Sequence, residues 1–188
     1  MNALTIIRRE HRDLGMTLLS FKSLLKGIED NRHQPDATFF RAILNYLDSF
    51  LNRFHHPKED DYLFPALLER YPASETLIQV LQKDHLNGDL YCQKLGDALA
   101  RYESDGTGLS DFHYSALDYI KYERLHIKKE ETELLPLAYK HLTESDWEPI
   151  DIAFSRNDDP MFGDQRKQQY QRLSKLINNV CIYGDPLL

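Results

Sequence analysis

The sequence predicts an all-α fold, an up-down-up-down antiparallel four-helix bundle with a C-terminal helical extension. Three observations predict it. Apolar residues recur at steps of three and four over four long segments, the period of one helix face. No stretch alternates apolar and polar residues as a half-buried strand would. Short turn-rich breaks separate the segments, and short connections between long helices favour antiparallel neighbours.

The first segment carries Leu4, Ile7, Leu14, Leu18, Phe21, Leu25 and Ile28, and its steps are regular only if His11 is counted in the stripe. DNRHQPD, residues 30–36, breaks it. The second begins near Asp36 with Phe40, Leu44, Leu47 and Leu51, then continues through His55 and Glu59 to about Arg70. Pro57 lies inside it and is expected to bend or loosen a turn. After Tyr71-Pro72-Ala73-Ser74, a third stripe runs Leu77, Leu81, His85, Gly88, Cys92, Leu95, Leu99, Tyr102 and stops at SDGTG, residues 104–108. The fourth places Phe112, Ala116, Tyr119, Tyr122, His126 and Glu130 on one side. Beyond it, Thr143-Glu-Ser-Asp reads as a capping box opening a short helix with Trp147, Ile150 and Phe154. A further stripe holds Tyr170, Leu173, Ile177 and Val180. The expected division is residues 1–142 as the bundle and 143–188 as an extension packed on it, with a homodimer surface or a lid as the alternative.

Composition narrows the function classes. The net charge is −7, and no lysine- or arginine-rich block is present beyond short pieces such as DQRKQQ. Nucleic acid and anionic membrane are therefore poor partners. No apolar run approaches the roughly 20 residues of a membrane span, and the N-terminus lacks the apolar core of a signal peptide. Two cysteines, Cys92 and Cys181, make neither a disulfide framework nor a thiolate metal site. The expected location is the cytoplasm.

The chemistry lies in a repeated phrase. HHPKEDDYLFP, residues 55–65, and HIKKEETELLP, residues 126–136, both place Glu four and Pro ten residues after a His. A spacing of four puts two side chains one turn apart on one helix face, so His55 pairs with Glu59 and His126 with Glu130. In an antiparallel hairpin, residues equidistant from the turn share a height. The midpoint of His11 and His55 is residue 33, that of His55 and His85 is residue 70, and that of His85 and His126 lies between 105 and 106. All three fall in or at the edge of the breaks. Four imidazoles and two carboxylates should therefore meet in one layer of the core. Six ligands exceed one tetrahedral ion and suit two metals, with carboxylates free to bridge. A pair of irons fits the mixed set best, with manganese or a mixed pair as the alternative. Two core carboxylates without a metal would carry a large desolvation cost.

The other polar residues read as supporting or unrelated. His33 and His141 lie outside the helix stripes, and His113 is off the ligand face. His56 points about 100° away from His55 on a regular helix and could support the site from outside. Asp60, Asp61, Glu131 and Glu133 read as outer or solvated acids, and Tyr122 as packing whose hydroxyl could reach a bound oxygen species.

Through REHRDL, FHHPKEDDYLFP, QKDHLNGD and RLHIKKEETELLP, over roughly residues 5–140, the chain resembles the hemerythrin-like, HHE cation-binding proteins. The resemblance implies a four-helix bundle holding a non-haem di-iron centre of two iron ions, oxo- or hydroxo-bridged. By motif its ligands are His11, His55, Glu59, His85, His126 and Glu130, and its usual small ligands are oxygen and nitric oxide. The sequence departs from the oxygen carriers of that family, which have a second histidine one turn away on the third helix. Here those positions are Leu81 and Asp89. One iron is then expected to lack a fifth imidazole, which argues for a more reactive centre. The iron–sulfur repair relatives usually add an N-terminal cysteine-bearing domain, whereas this sequence opens on the first bundle helix, so that role is the weaker expectation. The leading expectation is a binding protein that senses or buffers oxygen, nitric oxide, peroxide or iron under redox stress. The alternative is a di-iron enzyme turning over the same molecules, or an iron donor in cluster repair.

Overall fold

A computed structural model describes residues 2–30 and 36–155, and these residues form five helices with no strand. Helix α1 spans Ala3–Glu29. Helix α2 is continuous over residues 37–70, and a short 3-10 turn, Pro72–Ser74, leads into α3, Glu75–Asp105. Helix α4 runs over 109–141, and α5 covers Glu144–Ser155. The stripe at Tyr170, Leu173, Ile177 and Val180 lies outside the described residues. No described helix is long and apolar enough to cross a membrane.

Local chemistry sets the ends. Asp36 caps α2 by accepting the Phe39 amide at 3.1 Å. The capping box expected at α5 is present: the Thr143 amide donates to Asp146 Oδ2 at 2.8 Å, and the Asp146 amide returns to Thr143 Oγ1 at 3.4 Å. Asp151 of α5 accepts the Ala3 amide at 2.6 Å, placing a negative charge at the N-terminus of α1. Gly106 ends α3 with a left-handed φ of 76°, and Gly108 opens α4 with a φ of 81°.

Inside α2 and α4 the helix widens three times, over Asp48–His55, Glu59–Leu63 and Glu130–Leu134. Each wide turn closes with an amide bonded five residues back: His56 to Leu51, Phe64 to Glu59, Leu135 to Glu130. The next residue is always proline, at positions 57, 65 and 136. A proline has no amide to give the residue four before it, and its ring clashes with that residue's carbonyl. Those carbonyls belong to Arg53, Asp61 and Thr132, each inside a wide turn. The π turn absorbs the clash without breaking the helix. The loosened turn expected at Pro57 is thus one of three.

Two apolar clusters fill the interior. One gathers Leu14, Leu18 and Phe21 with Phe40, Leu47, Leu95, Leu99, Phe112 and Tyr119. The Phe40 and Phe112 rings meet at 4.6 Å, and Phe21 lies 6.2–6.4 Å from both. The other gathers Ile7, Leu63, Leu67, Leu81, Leu134 and Leu135 with Trp147, Ile150 and Phe154 of α5. Along each of α1 to α4, the residues between the two clusters are the buried polar ones.

The two left-handed glycines separate conformational strain from crowding. A Cβ at Gly106 meets nothing within 4 Å, so Gly106→Ala should cost only the left-handed penalty of about 1–2 kcal/mol. A Cβ at Gly108 would lie 2.9 Å from the Ala98 carbonyl oxygen. Gly108→Ala should therefore be the more destabilising of the two in urea unfolding, and equal losses would contradict this account of the turn.

Candidate metal centre

The buried polar layer consists of His11 from α1, His55, His56 and Glu59 from α2, His85 from α3, and His126 and Glu130 from α4. Glu10 and Glu123 lie at its margin. All six expected ligands are brought together. Glu59 and Glu130 are fully buried, and each opens a wide turn. Donor atoms of His11, His55, Glu59 and Glu130 all lie within 4.8 Å of one another. So do those of Glu59, His85, His126 and Glu130, and those of His56, His85 and His126.

The carboxylates divide their oxygens between the two histidine pairs. Glu59 Oε1 lies 3.5 Å from His55 Nε2 and 3.9 Å from His11 Nε2, while its Oε2 lies 3.6 Å from His85 Nε2. Glu130 Oε2 lies 3.2 Å from His11 Nε2, while its Oε1 lies 3.2 Å from His126 Nε2 and 3.7 Å from His85 Nε2. Two positions result, one framed by His11 and His55 and the other by His85 and His126. Each receives an oxygen from both glutamates.

Outside this layer, acids hold the rings. His11 Nδ1 donates to Glu131 at 2.8 Å, His55 Nδ1 to Glu10 at 2.9 Å, and His85 Nδ1 to Asp60 at 2.9 Å. His126 Nδ1 lies 3.7 Å from Asp84, whose carboxylate also takes Lys129 at 2.7 Å and the Tyr122 hydroxyl at 2.9 Å. Each acid neighbours a layer residue in sequence, Glu10 beside His11, Asp60 beside Glu59, Asp84 beside His85, Glu131 beside Glu130. Each serves a histidine on a different helix. Sequence reading identified Asp60 and Glu131 as outer acids and missed Glu10 and Asp84. Their signal was present as an acid immediately preceding a stripe histidine. Asp61 is exposed, and Tyr122 is committed to Asp84. Leu81 is in the apolar cluster, and Asp89 lines a cleft of about 360 Å³ beside His85, together with Asn52, His56, Asp60 and Gln82.

The donor set fits a cation. An Nδ1 proton on His11 and on His55 leaves lone pairs on the two Nε2 atoms, which face each other at 3.1 Å. Nitrogens bound to one ion at about 2.0–2.1 Å sit roughly 3 Å apart when they subtend near a right angle. All four oxygens of Glu59 and Glu130 are buried without a hydrogen-bond partner. Without a metal, protons supply the positive charge. Burial alone would lower the His11 pKa, but contacts with Glu130 and Glu131 and the charge of Glu59 outweigh it and raise it to about 10. His85 is raised to about 9 against burial by Asp60, Glu130 and Glu59. His126 is likewise raised well above its usual value, mainly by Glu130 against burial. Burial and the nearby Glu130 push Glu59 up to about 7. His56 goes the other way: burial and the neighbouring imidazoles hold it neutral. Cys92 offers no thiolate, since burial pushes it up to about 12.

These shifts give the metal-free protein a defined pH dependence. An imidazole whose folded pKa exceeds 6.5 stabilises the fold fully below 6.5 and loses that contribution as pH rises through 9–10. The raised Glu59 acts in the same sense between about 4.5 and 7. The metal-free protein should therefore lose stability in urea between pH 7 and 10. Metal uptake near pH 7 must expel these protons, so an indicator dye should record acid release and apparent metal affinity should rise with pH. Uptake without proton release would contradict the charged-histidine description.

No curated protein and no solved structure matches the chain. A family model, the hemerythrin HHE cation binding domain, matches residues 2–138, which includes every residue of the polar layer and its four outer acids. On that match, over well more than half its length, the chain belongs to the hemerythrin HHE cation-binding family.

Proposed function

We propose that the chain holds a dinuclear non-haem iron centre on His11, His55, Glu59, His85, His126 and Glu130, and binds oxygen, nitric oxide or peroxide there as a redox sensor or buffer. The observation that carries this reading is the division of both glutamates between two histidine pairs. A carboxylate with one oxygen directed to each of two nitrogen pairs has the geometry of a bridge. Mixed imidazole and carboxylate donors suit iron. An iron pair supplies redox-active coordination for a small molecule.

The chain's own residues do the rest. Glu10, Asp60 and Glu131 fix the tautomer and orientation of three rings, leaving Nε2 free to ligate. The apolar clusters close the layer above and below, and the cleft beside His85 gives a small molecule a route in. The order of cluster, polar layer and cluster reverses from each of α1 to α4 to the next, which supports an up-down-up-down antiparallel course. Residues 1–142 are then the bundle and 143–188 an extension packed on it, in a cytoplasmic protein, with a homodimer surface or a lid as the alternative use of the extension. The cleft also favours a second reading, a di-iron enzyme that turns over the same molecules, because substrate must enter and product leave.

Protein from iron-supplied cells should carry close to two irons per chain, and Glu59→Ala with Glu130→Ala should abolish the pair. One metal per chain, unaffected by the double substitution, would sink the two-metal reading. Mixing the reduced, iron-loaded protein with oxygen, nitric oxide and peroxide in a stopped-flow spectrometer tests the small-ligand part. No optical change with any of the three would refute it, and many turnovers per chain would transfer the protein to the enzyme reading.

A further inference from the structure

We propose that His56 is a fifth imidazole of the centre, closing the position framed by His85 and His126. The inference rests on the dinuclear reading and extends its ligand set. His56 is 4% exposed, and neither of its ring nitrogens has a hydrogen-bond partner. A buried polar atom left unpaired costs roughly 1–3 kcal/mol, so a ring kept only for packing would be better made of carbon. Its ring lies 3.9 Å from that of His85 and 5.3 Å from that of His126. Ligating atoms of the three rings are within 4.8 Å of one another. The His56 and His85 rings are stacked within 9° of parallel, so a turn of the His56 ring about its Cβ–Cγ bond would aim its nitrogen at the ion and complete a three-nitrogen face there, with no counterpart at the position of His11 and His55.

Helix geometry explains how two adjacent histidines can both serve. On a regular helix successive side chains diverge by about 100°, which would turn His56 away from the layer that holds His55. Here the wide turn over Asp48–His55 ends at the His56 amide, bonded to the Leu51 carbonyl, and Pro57 follows. The turn holds an extra residue, and at its end His55 and His56 are both buried. On α3 the residues one turn from His85 give no nitrogen: Leu81 is in the apolar cluster and Asp89 is in the cleft wall. The fifth imidazole comes from α2, at the inner end of that cleft. A small molecule arriving by the cleft meets the histidine-rich position first.

The test counts ligands and follows metal release. In zinc-loaded protein with ¹⁵N-labelled histidine, long-range proton–nitrogen spectra should show five rings with a metal-shifted nitrogen, and four in His56→Leu. Iron extraction by a chelator should be biphasic in His56→Leu, one ion leaving about tenfold faster or more than in wild type. His113→Leu, outside the layer, should match wild type. Four shifted rings in wild type, or identical extraction in wild type and His56→Leu, would overturn the proposal. If His56→Leu does not fold, the wild-type ring count decides alone, and His56→Gln serves for the extraction. A wild-type protein that fails to hold two metals would refute the dinuclear reading itself, a result distinct from two metals held by four rings.

Discussion

The whole arrangement turns on the confrontation of Glu59 and Glu130 with the histidines in a buried layer of the core. Two carboxylates with four unpartnered oxygens in a core cost several kcal/mol each unless positive charge meets them. The metal-free protein meets this demand by holding protons on His11, His85 and His126 far above their ordinary range. A metal pair meets it better, because one cation satisfies several lone pairs at once. Proton and metal therefore compete for the same atoms. The two apolar clusters supply the opposing free energy, at about 1.5–3 kcal/mol for each large side chain fully buried. Their position above and below also closes the layer at both ends.

The prolines are what make the layer geometrically accessible. Pro57, Pro65 and Pro136 each follow a wide turn, and Glu59 and Glu130 each open one. The repeated phrase His-x-x-x-Glu-x5-Pro thus encodes ligands and a backbone device together. The His–Glu spacing puts two donors on a face, and the proline forces the widening of the turn before it. At the end of the first wide turn, His55 and His56 are both buried against the layer.

Around the donors runs a ring of acids that links the helices in order. Glu10 of α1 holds His55 of α2, Asp60 of α2 holds His85 of α3, Asp84 of α3 lies near His126 of α4, and Glu131 of α4 returns to His11. No helix orients its own histidine. Ring orientation is therefore coupled to helix packing, and the looser fourth link, 3.7 Å against 2.8–2.9 Å, falls on the His85 and His126 side. That side also adjoins the cleft and His56, so the two histidine pairs have unequal surroundings.

Much of this was legible in the sequence. Helix number, the stripe histidines, their common height and the two His–Glu pairs follow from periodicity and spacing, because helix geometry is local and repeats every 3.6 residues. The start of α5 followed from its capping box for the same reason. What depends on rotation and on contacts between helices was decided only in the tertiary structure. His56 was expected to support the site from outside, about 100° from His55, and its burial with both ring nitrogens unpartnered emerges only from the packing. Glu10 and Asp84 were missed because each supports a histidine on another helix, which no spacing within one helix reveals. The split of each glutamate between two histidine pairs likewise depends on how four helices rotate against one another. Local geometry determined the donors, and packing decided how they are shared.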